Sequence, residues 1–100
     1  MGKRGPGNPK ARAAAPRRLI VQQEFLDDLQ WWIRTDPRIA LRILQLIEEI
    51  SRAPFSGIGK PEPLKYLPGH PWSRRITQEH RLVYRVTDSA VDLLQARYHY

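Results

Sequence analysis

Glu62, Lys65, Arg74, Arg75, Arg81, Arg97, His99 and Tyr100 all fall in the C-terminal part of a 100-residue chain. Together they supply a carboxylate, an imidazole and several fixed cations, the groups that RNA cleavage without a metal requires. In that chemistry the ribose 2′-hydroxyl attacks the adjacent phosphorus and the 5′-oxygen departs. A base must take the hydroxyl proton, an acid must protonate the leaving oxygen, and cations must surround the charge building on the phosphorane. Glu62 is a candidate base and His99, when protonated, a candidate acid. Arg81, with Lys65 and Arg75, can stabilise the phosphate oxygens, since guanidinium offers two parallel donors. Arg74 and Arg97 are further candidate phosphate contacts, and Tyr100 can stack on a base or hold a substrate group through its hydroxyl. Each residue also has a plain structural reading. A glutamate between Pro61 and Pro63 can be a solvated loop residue, strand arginines can form ion pairs, and a terminal histidine can belong to a fraying end.

These groups act together only if the fold gathers them. From Pro61 onward the apolar period is two: Ile76, then Leu82, Tyr84 and Val86, then Val91 and Leu93 alternate as half-buried strands do. Asp88-Ser89 reads as the turn between strands 81–87 and 90–97, which pairs Arg85 with Asp92 across the ladder. Gln78-Glu79 closes the preceding hairpin. The chain therefore returns to the end of the sheet where Arg81 starts its strand, bringing Arg97, His99 and Tyr100 towards it. Spacing alone does not place the Glu62 loop at the same rim, and a register slip of one residue would turn any of these side chains to the other face.

Upstream, Arg18 to Val21 predicts a short strand leading into a helix whose Phe25, Leu26, Leu29, Trp32 and Ile33 recur at helical spacing. Asp27 and Asp28 meet the positive end of that helix dipole. Asp36 and Pro37 are a good N-cap and first residue for a second helix, with Ile39, Ile43, Leu46, Ile47 and Ile50 as its buried stripe and Pro54 as its stop. Trp32 belongs to the core by its spacing; Trp31 could also stack on a base. The expected fold class is α+β: a strand and two helices packed on an antiparallel sheet.

The net charge of +7 is unevenly spread. Residues 1–18 hold six Lys/Arg and no acid, residues 19–59 four arginines against six acids, and residues 60–100 seven Lys/Arg against four acids. The C-terminal half thus carries a positive patch suited to a phosphate backbone. Residues 1–17, built of Gly, Pro, Ala, Lys and Arg without apolar period, read as a disordered basic extension, and 18–100 as one domain. There is no cysteine, hence no disulfide or thiolate metal site, which suits a cytoplasmic protein. Three scattered histidines and no cysteine argue against a zinc site, and no apolar run could span a membrane.

Residues 18–100 resemble the YoeB (Txe) toxins of the RelE superfamily. The resemblance is carried by Gly59-Lys60-Pro61-Glu62-Pro63-Leu64-Lys65, Trp72-Ser73-Arg74-Arg75-Ile76-Thr77, Glu79-His80-Arg81-Leu82-Val83-Tyr84 and the final Arg97-Tyr98-His99-Tyr100. It implies a microbial-ribonuclease-like fold and a ribosome-dependent mRNA endonuclease from a type II toxin–antitoxin pair, acting in the A site of the 70S ribosome. It further implies a cyclic phosphate and a 5′-hydroxyl as products, with no cofactor and no metal. The family's base falls on Glu62, its phosphate-stabilising arginine on Arg81, its acid on His99 and its terminal aromatic on Tyr100, with Lys65 and Arg75 in support. It implies a homodimer and a YefM-like antitoxin as partners. The basic extension lies outside the match, and the proline-rich loop Tyr66–Pro71 departs from the family pattern. Three rivals stand beside this expectation: a non-catalytic relative that binds a protein target, an RNA-binding module working through residues 1–18, and an inactive toxin retained for its promoter complex.

Overall fold

The computed structural model describes residues 16–98. Residues 1–15, His99 and Tyr100 lie outside the described residues, and with them the expected acid, the terminal aromatic and most of the basic extension. Arg17 belongs to the folded body rather than to the extension. Its backbone N–H donates to Ser51 O at 2.8 Å and its Nε to Thr87 O at 2.9 Å.

The order of elements is β1 (Arg18–Val21), α1 (Gln23–Thr35), α2 (Pro37–Arg52), β2 (Glu62–Pro63), β3 (Trp72–Arg75), β4 (Arg81–Val86) and β5 (Ala90–Gln95). The strands form one sheet in the order β1-β5-β4-β3-β2. Three of its pairings are antiparallel, as expected; β1 runs parallel to β5 at one edge. At the other edge β2 is only two residues long, and an edge is where its proline is tolerated.

Both helices bury their stripes against one face of the sheet. Phe25 and Trp32 of α1 meet Ile43, Leu46 and Ile50 of α2 over Leu82, Tyr84, Val91 and Leu93. Asp36 caps α2 as expected, accepting from Arg38 N at 3.2 Å ahead of Pro37. The Arg38 guanidinium bonded to Asp36 also holds that carboxyl below its ordinary range. The stripe of α1 is narrower than its spacing predicts. Leu26 is 39% and Ile33 53% exposed. Phe25, Leu29 and Trp32 occupy the face towards the sheet, and the two exposed residues lie a step of about 100° round the helix from it.

Candidate functional site

Register decides which side chains can share a site. Leu82 and Tyr84 of β4 belong to the helix-covered core, so their partners Arg74 and Trp72 on β3 share that side. The intervening residues belong to the sheet face away from the helices: Ser73 opposite Val83, both buried, and Arg75 opposite Arg81, exposed and half-buried. Glu62 on β2 lies opposite Ser73 and so joins the same face, where it is exposed. Glu62 and Arg81 thus flank β3, two strands apart and offset by two residues. Their Cα separation is on the order of 12 Å, a span that two extended side chains can close onto one phosphodiester.

Each member has its own support. Arg75 is exposed, while its backbone N–H donates to Gly59 O at 2.7 Å. Arg42 of α2 braces the end of the same strand, donating to Ile76 O at 2.9 Å and Arg75 O at 3.2 Å. The half-buried Arg81 turns Nη1 onto the 77–80 loop, to Thr77 O and Gln78 O at 3.0 Å each and His80 O at 3.2 Å. Its Nε and Nη2 have no partner among the described residues. The backbone N–H of Arg81 donates to Tyr98 O at 3.0 Å, tying the C-terminal segment to this strand. Lys65 is exposed beyond the buried Leu64, whose N–H bonds Pro71 O at 2.8 Å. On the same face, Arg85 and Asp92 form the expected cross-strand pair at 3.1 Å.

Arg74 is not a phosphate contact. Its side chain is fully buried, and all five guanidinium N–H groups find acceptors. Nε donates to Tyr84 Oη at 3.2 Å; Nη1 donates to Ile58 O at 3.0 Å and to the Glu49 carboxylate; Nη2 donates to Ser56 O at 2.8 Å and to Ala53 O. Tyr84 in turn donates to Pro54 O, and burial pushes its phenol up, against the opposing pull of Arg74. One arginine therefore gathers the carbonyls of the loop that runs from α2 to Glu62. Two glycines let that loop close. At Gly57 (φ +113°) a Cβ would strike the Glu49 carboxylate, which accepts from Ile58 N at 2.7 Å. At Gly59 (φ +81°) a Cβ would lie 3.1 Å from both Arg74 Cβ and Leu46 Cδ2.

Arg97 is also diverted. Its guanidinium lies 3.7 Å over the Trp31 ring and 4.7 Å from that of Tyr98, lining a cleft with Glu24, Asp27 and Asp28 instead of facing Arg81. Trp31 is thereby occupied by a cation, and Trp32 is core. Asp28, expected only to complement the helix dipole, accepts from Ala96 N at 2.9 Å.

The described domain has the fold of YoeB- and RelE-type toxin structures. The YoeB/ParE toxin from Agrobacterium tumefaciens matches with a TM-score of 0.77 at 46% identity, over 83% of this chain and 99% of that one. The YoeB dimer from Staphylococcus aureus matches with a TM-score of 0.76 at 36% identity, over 86% of this chain and all of that one. A heterotetrameric YoeB–YefM toxin–antitoxin complex from Staphylococcus aureus matches with a TM-score of 0.73 at 36% identity, over 86% of this chain and all of that one. Toxin YoeB of Escherichia coli K12 is 52% identical over 83 residues, 83% of this chain and 99% of its own length. Residues 21–100 match the family of YoeB-like toxins of bacterial type II toxin–antitoxin systems. The chain belongs to that family.

Proposed function

We propose that this toxin is a ribosome-dependent endoribonuclease that cuts mRNA in the ribosomal A site without a metal. The observation that carries the proposal is the register of β2–β3–β4, in which one carboxylate and two guanidinium groups lie on the sheet face away from the helices, Glu62 and Arg81 on either side of the strand that bears Arg75. Glu62 takes the proton of the 2′-hydroxyl as its oxygen attacks phosphorus. Arg81, through its unengaged Nε and Nη2 edge, binds the phosphate oxygens as charge grows on them, and Arg75 and Lys65 add positive field. His99, the residue after Tyr98, protonates the departing 5′-oxygen. Tyr100 arranges the substrate. The products are a cyclic phosphate and a 5′-hydroxyl: one proton passes from the 2′-oxygen to Glu62, another from His99 to the 5′-oxygen, and exchange with solvent restores both side chains for the next turnover.

The YoeB dimer and the YoeB–YefM complex known from Staphylococcus aureus support two further proposals: a homodimer, and inhibition by a YefM-like antitoxin. The working place is the cytoplasm, where ribosomes are; no helix among the described residues is long and apolar enough to cross a membrane. The experiment is cleavage of a defined mRNA on programmed 70S ribosomes, wild type against His99→Ala. A cut within the A-site codon by wild type alone is expected. Folded wild type that makes no cut would overturn the nuclease and leave a toxin that acts by binding. A folded His99→Ala that cuts at the wild-type rate would remove the acid role from His99.

A further inference from the structure

The three described residues before His99 are each held to the body of the domain by specific contacts. Ala96 is gripped from both sides by α1, its N–H by Asp28 and its carbonyl by Trp32 Nε1 at 2.7 Å. Arg97 is stacked on Trp31. The N–H of Tyr98 donates to His80 Nδ1 at 2.7 Å, while its carbonyl accepts from Arg81 N. The His80 ring itself stands edge-on to Trp32, centroids 4.9 Å apart at 89°, and lies 5.4 Å from the Tyr98 ring. Tyr98 adopts φ +64°, a left-handed backbone that a tyrosine keeps only when its surroundings hold it there.

We propose that His80 is a positioning residue for cleavage, its Nδ1 acting as the latch that fixes the direction in which the chain leaves Tyr98 towards His99. This rests on His99 being the acid of the proposed reaction. A backbone N–H bonded to Nδ1 requires that nitrogen to be unprotonated, so His80 acts here as an acceptor and not as an acid. Trp32 sets the plane of the ring, and the adjacent Arg81 N–H completes a two-point grip on a single residue. Without the Nδ1 acceptor, Tyr98 retains one backbone bond to β4 and can pivot about it. A displacement of about 1 Å at a reacting group is enough to slow a reaction by roughly a hundredfold.

The test compares His80→Phe with His80→Asn in the full chain. Phenylalanine keeps a ring against Trp32 and lacks the acceptor; the Asn Oδ1 can take the place of Nδ1. His80→Phe should lower single-turnover cleavage on saturating programmed ribosomes by about 10- to 100-fold with ribosome affinity unchanged. His80→Asn should stay within a few-fold of wild type. Amide hydrogen exchange at Tyr98 reads the latch without any cleavage and should accelerate in His80→Phe only. Wild-type cleavage by His80→Phe, equal losses in both variants, a loss confined to ribosome binding, or unchanged Tyr98 exchange would each overturn the proposal. Wild type that fails to cut while Tyr98 exchange responds as described would instead sink the nuclease assignment, and with it the catalytic purpose of the latch.

Discussion

Replacing Arg74 by methionine should destabilise the domain by about 3–5 kcal/mol, the usual cost of removing one partner from a buried ion pair. Methionine fills most of the arginine's length but donates nothing. Five acceptors each lose one donor at once, the Glu49 carboxylate, the Tyr84 hydroxyl and the carbonyls of Ala53, Ser56 and Ile58, although Glu49 keeps Ile58 N–H and Tyr84 keeps Pro54 O. A buried acceptor left unpaired costs about 1–3 kcal/mol, so a plain sum would exceed the stated range. The sum is reduced because the Glu49 side chain is 33% exposed and water can reach it once the loop relaxes. For a domain of this size each kcal/mol lowers Tm by about 4–8 °C, so the midpoint should fall by more than about 10 °C. Urea unfolding followed by circular dichroism measures the loss directly. Hydrogen exchange at Ile58, whose N–H rests on Glu49, should quicken before global unfolding. Arg74→Lys should recover only part of the loss, since an ammonium cannot reach five acceptors arranged around a planar fork. A loss below about 1 kcal/mol in Arg74→Met would refute the claim that this guanidinium holds the loop.

Tyr84→Phe should cost about 1–2 kcal/mol at neutral pH, through the bonds to Arg74 and Pro54, with urea midpoints as the measure. The buried phenol has a raised pKa, so its protonated form is favoured by folding; that stability is complete below about pH 10 and is lost as pH rises through the folded value. The variant should therefore lose less stability than wild type as pH rises from about 10 through the folded value of Tyr84. Gly59→Ala should destabilise by about 1–3 kcal/mol, because an alanine would have to hold a left-handed backbone and push Arg74 or Leu46 aside from a 3.1 Å approach. Glu62→Ala and Arg81→Ala should each slow single-turnover cleavage by about 10²- to 10⁴-fold with thermal midpoints little changed. Removing residues 1–15 should leave A-site cleavage within a few-fold of wild type; abolition would favour an RNA-binding module working through that basic segment.

The elements of the fold were visible in the sequence because each carries its own period and punctuation. Arg18–Val21, the two helices around Asp36-Pro37, and the Asp88-Ser89 turn with its Arg85–Asp92 pair all stand where local residues put them. The burial of Arg74 was also within reach. Ile76 reads as inward-facing, and two residues back along a strand is the same face, so Arg74 faces in and Arg75 out. What no local pattern contains is the reason an arginine is tolerated there, because its acceptors come from an irregular loop some 16–21 residues away in the chain. The same limit applies to the site itself. Glu62 joins Arg75 and Arg81 through a two-residue edge strand too short to have a period. The C-terminal segment is displaced by a bulge that pairs Val83 with Gln95 and Tyr84 with Leu93, shifting all that follows by one residue. After that shift Arg97 meets Trp31, and Tyr98 meets His80 and Arg81. Chemistry-bearing residues can be chosen from sequence by type, but which of two neighbouring arginines faces substrate is settled by register. In this chain register is fixed by contacts between distant segments: Arg74 with the 53–58 loop, and α1 with the residues before His99.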